Sequence, residues 1–374
     1  MSVMKTVVSL LKKEIVLFVA FVLAVISCFF VHPGKAYIDY IDYRTLSILL
    51  CLMITMAGLQ RLQLFRQVGE SLVNLMSTIR GVVFVLLLLC FFSSMWITND
   101  VALITFVPFS IVTLSLAKRK DLLIPVIVLD TIAANLGSML TPLGNPQNLF
   151  LYSKIGISFL AFVKLMLPYS FLSLVLLIIA TLLLVKADPL EAPKNNAYKR
   201  TKREKYLIAL YLIFFLISIL IVIHIIDYKI GLAIILGFTL INDRKVLKKP
   251  DYSLLFTFVF LFIFIGNMKR IPALSDLLYE MISKKEVYVS ILLSQFISNV
   301  PAAILCSGFT NQYSKLIIGT NLGGLGTLIA SMASLISYKQ YGFVEGADKK
   351  RYLLVFTALN VVFLAILLLF YIIY

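Results

Sequence analysis

Two short polar clusters interrupt apolar runs in this 374-residue chain, and they are the residues best placed to hold a solute. Thr98-Asn99-Asp100 falls in the middle of an apolar stretch from Gly81 to Ala117. Ser298-Asn299, with Pro301 close behind, falls in the middle of Val287–Ser314. A chain that bends at such a cluster leaves carbonyls of the first helical arm and N–H groups of the second without partners. The end of the first arm is partly negative and attracts a cation, while the start of the second is partly positive and attracts an anion. Hydroxyl and amide oxygens from Thr98, Asn99, Ser298 and Asn299, together with backbone carbonyls, suit a hard cation such as sodium. The same Asn and Ser side chains can equally cap the second arm.

The apolar run that follows each cluster is itself broken. Gly137, Ser138, Thr141, Pro142, Gly144, Asn145, Pro146, Gln147 and Asn148 break the first, and Gly323, Gly324, Gly326 and Thr327 break the second. Proline removes a backbone donor and glycine opens unusual backbone angles, so helices stop there. Close helix packing through small residues explains Gly323 and Gly324 equally well, but not the polar run from Thr141 to Asn148. Two carboxylates lie within these segments. Asp100 at the first tip can neutralise a cation, carry a proton or cap the second arm. Asp130 reads as a hydrogen-bonded interior residue. No Lys or Arg falls inside either pair of segments, so an anion must be held by N–H groups, hydroxyls, amides and a bound cation. Metalloprotease, nucleophile-elbow and phosphate-loop signatures are absent, which argues against an enzyme. The four cysteines lie in apolar runs with no ligand spacing.

The elements that must position these clusters follow from composition. The chain is 61% hydrophobic and 14% charged, with a mean hydropathy of +1.01. Those values exclude a water-soluble domain and point to an all-α polytopic membrane protein. The net charge of +16 does not indicate nucleic acid. Most Lys and Arg sit between apolar runs, where cytoplasmic loops of membrane proteins collect them. Their distribution predicts a plasma-membrane protein with nine full spans plus two re-entrant hairpins, the N-terminus cytoplasmic and the C-terminus outside. Ile97-Thr98-Asn99-Asp100-Val101-Ala102 resembles Ile297-Ser298-Asn299-Val300-Pro301-Ala302, and Ala134–Thr141 resembles Thr320–Thr327. Two repeats are therefore expected. Residues 1–186 carry a hairpin at 81–117 and a broken helix at 122–153. Residues 187–228 form a cytoplasmic loop and a connecting span. Residues 229–374 carry a hairpin at 287–309 and a broken helix at 316–338. The connecting span inverts the second repeat, and inverted repeats with discontinuous helices are a transporter architecture.

Thr98-Asn99-Asp100 and Leu140-Thr141-Pro142-Leu143-Gly144-Asn145-Pro146-Gln147-Asn148 resemble the ion transporter superfamily. That group holds citrate and divalent-anion/sodium symporters, arsenite permeases and a class of sodium/proton antiporters. The Asp100 tip and the Gly144–Asn148 run look closer to its arsenite- and citrate-permease side. The resemblance implies that the tips and breaks together bind substrate and sodium. Solute contacts are then expected from Thr98, Asn99, Thr141, Asn145, Asn148, Ser298, Asn299 and Thr327. Sodium ligands are expected from Thr98, Asn99, Asp100, Gly137 and Ser138 in one half, and from Ser298, Asn299, Gly323 and Gly324 in the other. It also implies a homodimer, an elevator-like displacement of the hairpin-bearing part, and no cofactor beyond a sodium or proton coupling ion. The expected activity is uptake of a small anion such as a di- or tricarboxylate. Arsenite or antimonite efflux, sodium/proton antiport through Asp100, and a non-transporting membrane scaffold remain open at this point.

Overall fold

The computed structural model describes residues 15–189 and 200–374. The basic residues Lys5, Lys12 and Lys13 near the N-terminus lie outside them, as does the middle of the expected cytoplasmic loop. The described residues are almost entirely helical and form an all-α polytopic membrane protein. Eight helices are long and apolar enough to cross a bilayer, and three further apolar helices are shorter.

In chain order the first half contains α1 (Ile15–Phe30), α2 (Ala36–Tyr40), α3 (Tyr43–Arg61), α4 (Leu64–Val73), α5 (Ile79–Ile97), α6 (Asn99–Leu116), α7 (Leu123–Gly137), α8 (Pro146–Ile155) and α9 (Phe159–Leu184). The second half contains α10 (Lys202–Val222), α11 (Tyr228–Asn242), α12 (Tyr252–Lys269), α13 (Pro272–Ile282), α14 (Glu286–Ile297), α15 (Asn299–Cys306), α16 (Tyr313–Leu322), α17 (Met332–Tyr341) and α18 (Lys349–Ile373). Local chemistry sets the starts of the long helices. Asp42 accepts from the Thr45 N–H, Thr78 from Gly81 and Ser158 from Ala161. Thr201 and Glu204 form a reciprocal capping box.

Packing divides the helices into two groups. α5 and α6 pack on α7, α14 packs on α16, and α9 and α18 cover α7. The second arms cross between the halves, with α6 against α17 and α15 against α8. The other group pairs α12 with α1 and α3 with α10 and α11. Asp243 holds the second group together at one end. It is 8% exposed and accepts from Arg61 Nη2 at 2.5 Å and from the Tyr211 hydroxyl at 2.9 Å. The Tyr211 ring in turn fills the space beside Gly58, where an added Cβ would come within 2.3 Å of it.

The short helices α4 and α13 have no counterpart in the span count above. Each precedes a hairpin, and each is amphipathic with few buried residues, Gly69 and Val73 in α4 and Ile282 in α13. Apolar runs count only segments long enough to cross, so a ten-residue helix with one apolar face passes unnoticed.

Candidate functional site

Both hairpins turn at a non-glycine residue with positive φ. Thr98 has φ 71°, ψ 150° and Ser298 has φ 72°, ψ 154°. This is a region that L residues rarely adopt, and it costs roughly 1–3 kcal/mol unless the surroundings enforce it. The surroundings here are equivalent in the two halves. The Asn99 N–H donates to the Gly144 carbonyl (3.1 Å) and the Asn299 N–H to the Ala330 carbonyl (3.0 Å). Three residues before each tip, the carbonyl of Met95 accepts from the Thr141 hydroxyl and that of Gln295 accepts from the Thr327 hydroxyl. Each tip is therefore docked on the break of its own repeat by two matched bonds. Gly137 permits this docking, since a Cβ there would lie 2.0 Å from the Phe91 carbonyl oxygen of α5.

The two broken helices then cross. Asn135, on the last turn of α7, accepts from Asn99 Nδ2 (3.0 Å) and from the Ser331 hydroxyl (3.1 Å), and donates to the Ser334 hydroxyl (3.3 Å). Asn321, its counterpart on α16, accepts from Asn145 Nδ2 (3.2 Å) and donates to Asn148 Oδ1 (2.6 Å). Each half thus supplies one asparagine that grips the start of the other half's second segment. The polar residues in these contacts are at most 5% exposed, so the bonds are largely shielded from water.

A cavity of about 200 Å³ lies at the crossing. Asn99 and Asp100 open α6, Gln147 opens α8, Asn299 and Val300 open α15, and Ser331 and Met332 open α17; all of them line it. Four helix N-termini therefore converge on one small space, each bringing the partial positive charge of its dipole. Asp251 and Lys339 stand at its rim with Asp100. An adjoining cavity of about 190 Å³ shares Asp100, Pro146 and Asp251 and adds Thr98, Asn145 and Lys249.

The residues expected from the sequence divide accordingly. Asn99, Asp100 and Asn299 line the central cavity, and Thr98 and Asn145 line its neighbour. Thr141 and Thr327 lie outside both linings, their hydroxyls directed at the hairpin arms. Ser298 is fully buried beneath its tip, with its hydroxyl 3.5 Å from the Ala330 carbonyl. Asn148 is also buried, and its Nδ2 faces the carbonyls of Ser138, Met139 and Thr141 at 3.3–3.4 Å. Gly137, Ser138, Gly323 and Gly324 are buried at the breaks. Asn135, Asn321, Gln147, Ser331 and Ser334 were not among the expected site residues. The one signal for the two asparagines was their coincidence in the aligned repeat motifs.

The breaks also bear on sodium. Nε2 of Gln295 donates to the carbonyls of Gly323 (3.2 Å) and Leu325 (3.0 Å), while its Oε1 accepts the Thr327 N–H (2.9 Å). An amide therefore occupies the carbonyls that a cation would need at the second break, and turning it over would set oxygen against oxygen. Asn148 faces the first break in the same sense at longer distances. At the second break the Gly323 and Leu325 carbonyls are thus already engaged by a side-chain donor. Among the described residues no group of three or more His, Cys, Asp or Glu could hold a metal ion.

At its outer end the first hairpin is tied to the exit of α9. Arg119 pairs with Asp188 and with Asp121 at 3.0 Å, and its guanidinium holds the Asp121 carboxyl below the usual carboxylate range. Trp96 is exposed on the outer face of α5, away from the cavity.

Comparison with known proteins agrees with this architecture. The family model described as "Citrate transporter" matches residues 3–315. An uncharacterized transporter of Methanocaldococcus jannaschii is 35% identical over 256 residues, covering 68% of this chain and 69% of that protein. The inner membrane protein YbiR of Escherichia coli is 30% identical over 329 residues, 84% of each chain. With its motifs, its crossed broken helices and these matches, the chain belongs to the citrate transporter family of the ion transporter superfamily and is a multi-pass membrane transporter.

Proposed function

We propose that this transporter moves a small carboxylate, such as citrate, by secondary active transport driven by a proton gradient. The observation that carries the reading is the convergence of four helix N-termini on one cavity of about 200 Å³. Such a space suits a compact anion rather than a large one, and N–H groups with aligned dipoles favour carboxylate oxygens. The amides of Asn99, Asn299 and Gln147 supply neutral donors around it. Asp100 and Asp251 oppose an anion and Lys339 attracts it, so the two acids outnumber the one cation and charge must be compensated as it binds. Amide groups already hold the carbonyls at both breaks, which favours the proton over sodium as the coupling ion.

On this reading the hairpins, broken helices, α9 and α18 move as a unit against α1, α3, α10, α11 and α12, exposing the cavity alternately to each side. The protein sits in the plasma membrane as a homodimer, with its N-terminus cytoplasmic and its C-terminus outside. Purified protein in proteoliposomes should accumulate radiolabelled citrate when the interior is alkaline. Asn99→Ala and Asn299→Ala should abolish uptake while the protein still elutes as a folded species. Unchanged uptake by both variants would refute the assignment. Metalloid resistance without citrate counterflow would point to arsenite efflux instead, and sodium-dependent collapse of a pH gradient to antiport.

A further inference from the structure

Asp130 lies in the interior of α7, five residues before Asn135, and is completely buried. Its Oδ2 accepts one hydrogen bond, from the Ser110 hydroxyl of α6 at 2.7 Å, and its Oδ1 has no partner. None of the ion pairs among the described residues involves it. The ionisable groups whose fields reach it are Cys90 of α5 and Tyr352 of α18, neither of which offers a positive charge. Tyr352 is itself stacked on Tyr341 of α17 and packed near Tyr338. A carboxylate sealed in this way, with one neutral donor and a bare oxygen, is far less costly as the neutral acid.

A line of polar groups leads from the central cavity toward this group. On α17, Ser331, Ser334, Ser337 and Gln340 recur every third residue. Ser331 and Ser334 bond Asn135, and the Ser337 hydroxyl lies 2.8 Å from that of Thr131. Tyr352 stands beside both Thr131 and Asp130. The hydroxyl and amide groups thus run from the tip residue Asn99 through Asn135 and Thr131 to the neighbourhood of Asp130.

The repeat provides an internal control. In the motif alignment that places Asn135 over Asn321, Asp130 falls on Leu316, Thr131 on Ile317 and Ser337 on Leu151. The equivalent seam between α16 and α8 is polar at Asn321, Asn145 and Asn148, apolar at Leu316, Ile317 and Leu151, and ends at Lys154, which bonds Ser307 of the hairpin instead. At the outer end of the second hairpin Thr310, the counterpart of Ser110, donates instead to the buried Glu286 of α14, so the second half places its carboxyl on the first arm of the hairpin and not on the broken helix. Asp100 and Asp251, the other acids near the site, line the cavity itself, Asp100 in the first turn of α6, so they meet the solute directly and are not sealed from it.

We propose that Asp130 is the binding site of the coupling proton, loaded and released through the seam on α17. The proposal rests on the proton-driven transport set out above. Asp130→Asn keeps the shape and the Ser110 contact and removes the exchangeable proton. Two measurements on the full-length protein separate the ideas. Infrared difference spectra in detergent, which need no substrate, should show the band of a protonated carboxylic acid in the wild type, and Asp130→Asn should lose it. In proteoliposomes Asp130→Asn should exchange radiolabelled citrate across the membrane but lose at least tenfold of the accumulation driven by an alkaline interior. Ser110→Ala should keep accumulation and shift its pH profile to the alkaline side. An acid band undiminished in Asp130→Asn, with Glu286→Gln identifying any share owed to the other buried carboxyl, or proton-driven accumulation undiminished by that change, overturns the proposal. If the wild type carries no citrate, the transport reading fails, while the infrared band still decides whether Asp130 holds a proton.

Discussion

Replacing Asn135 by alanine tests the crossing of the two broken helices most directly. Asn135 is 5% exposed and makes three side-chain bonds, to Asn99, Ser331 and Ser334. Asn99 and Ser331 line the cavity and can turn to water, so losing Asn135 costs them little. Ser334 is fully buried, and its stranded hydroxyl carries a penalty of about 1–3 kcal/mol. The net loss of stability should be about 2 kcal/mol. A double-mutant cycle with Ser334→Ala should return a coupling of roughly 0.5–1.5 kcal/mol, the range expected for a side-chain bond between membrane helices. Losing its anchor, the Asn99 amide should also weaken citrate binding about tenfold, or ~1.4 kcal/mol. Unfolding in detergent measures the first two quantities and titration of citrate the third. Asn321→Ala is the matched control, because it strips partners from Asn145 and Asn148 instead of a tip asparagine. It should lose comparable stability and keep citrate affinity. Zero coupling between Asn135 and Ser334, or equal loss of affinity in Asn321→Ala, would refute the reasoning.

Two further outcomes follow from the same contacts. Asp243→Ala leaves Arg61 and the buried Tyr211 hydroxyl without their acceptor and should destabilise the α3, α10 and α11 group by about 2–4 kcal/mol in an unfolding titration, with citrate affinity of the folded fraction unchanged. Gln295→Ala frees the carbonyls of Gly323 and Leu325 and should lower stability by about 1–3 kcal/mol. Sodium chloride, compared with the potassium salt, should then raise the melting temperature of this variant but not of the wild type. A sodium effect already present in the wild type would contradict the role given to the amide.

Much of the architecture was legible because membrane helices are written in one dimension. Apolar runs mark spans, and a polar cluster inside a run marks a bend. The tips at Thr98 and Ser298 stand out for that reason. Asn135 did not, since a single amide one turn before a break reads as an ordinary interior residue. Its significance depends on Ser331 and Ser334, about two hundred residues later and brought to it by the crossing of the repeats. Gln295 escaped for a similar reason. One polar residue in an arm says nothing about which backbone it will face, and its partners belong to a different helix. The helices α4 and α13 were invisible to a criterion based on length.

The two hairpins differ in length. The first arm of one has 19 residues and that of the other 12, or about 28 Å and 18 Å at 1.5 Å per residue. Given the inverted orientation expected of the two repeats, the tips lie closer to the face from which the shorter hairpin enters. An ion arriving from the opposite face crosses the larger share of the membrane voltage, which weighs about 2.3 kcal/mol per charge per 100 mV over the full thickness. Access from that side should respond strongly to an imposed potential, while access from the near side hardly should, so the two half-cycles carry unequal electrical work.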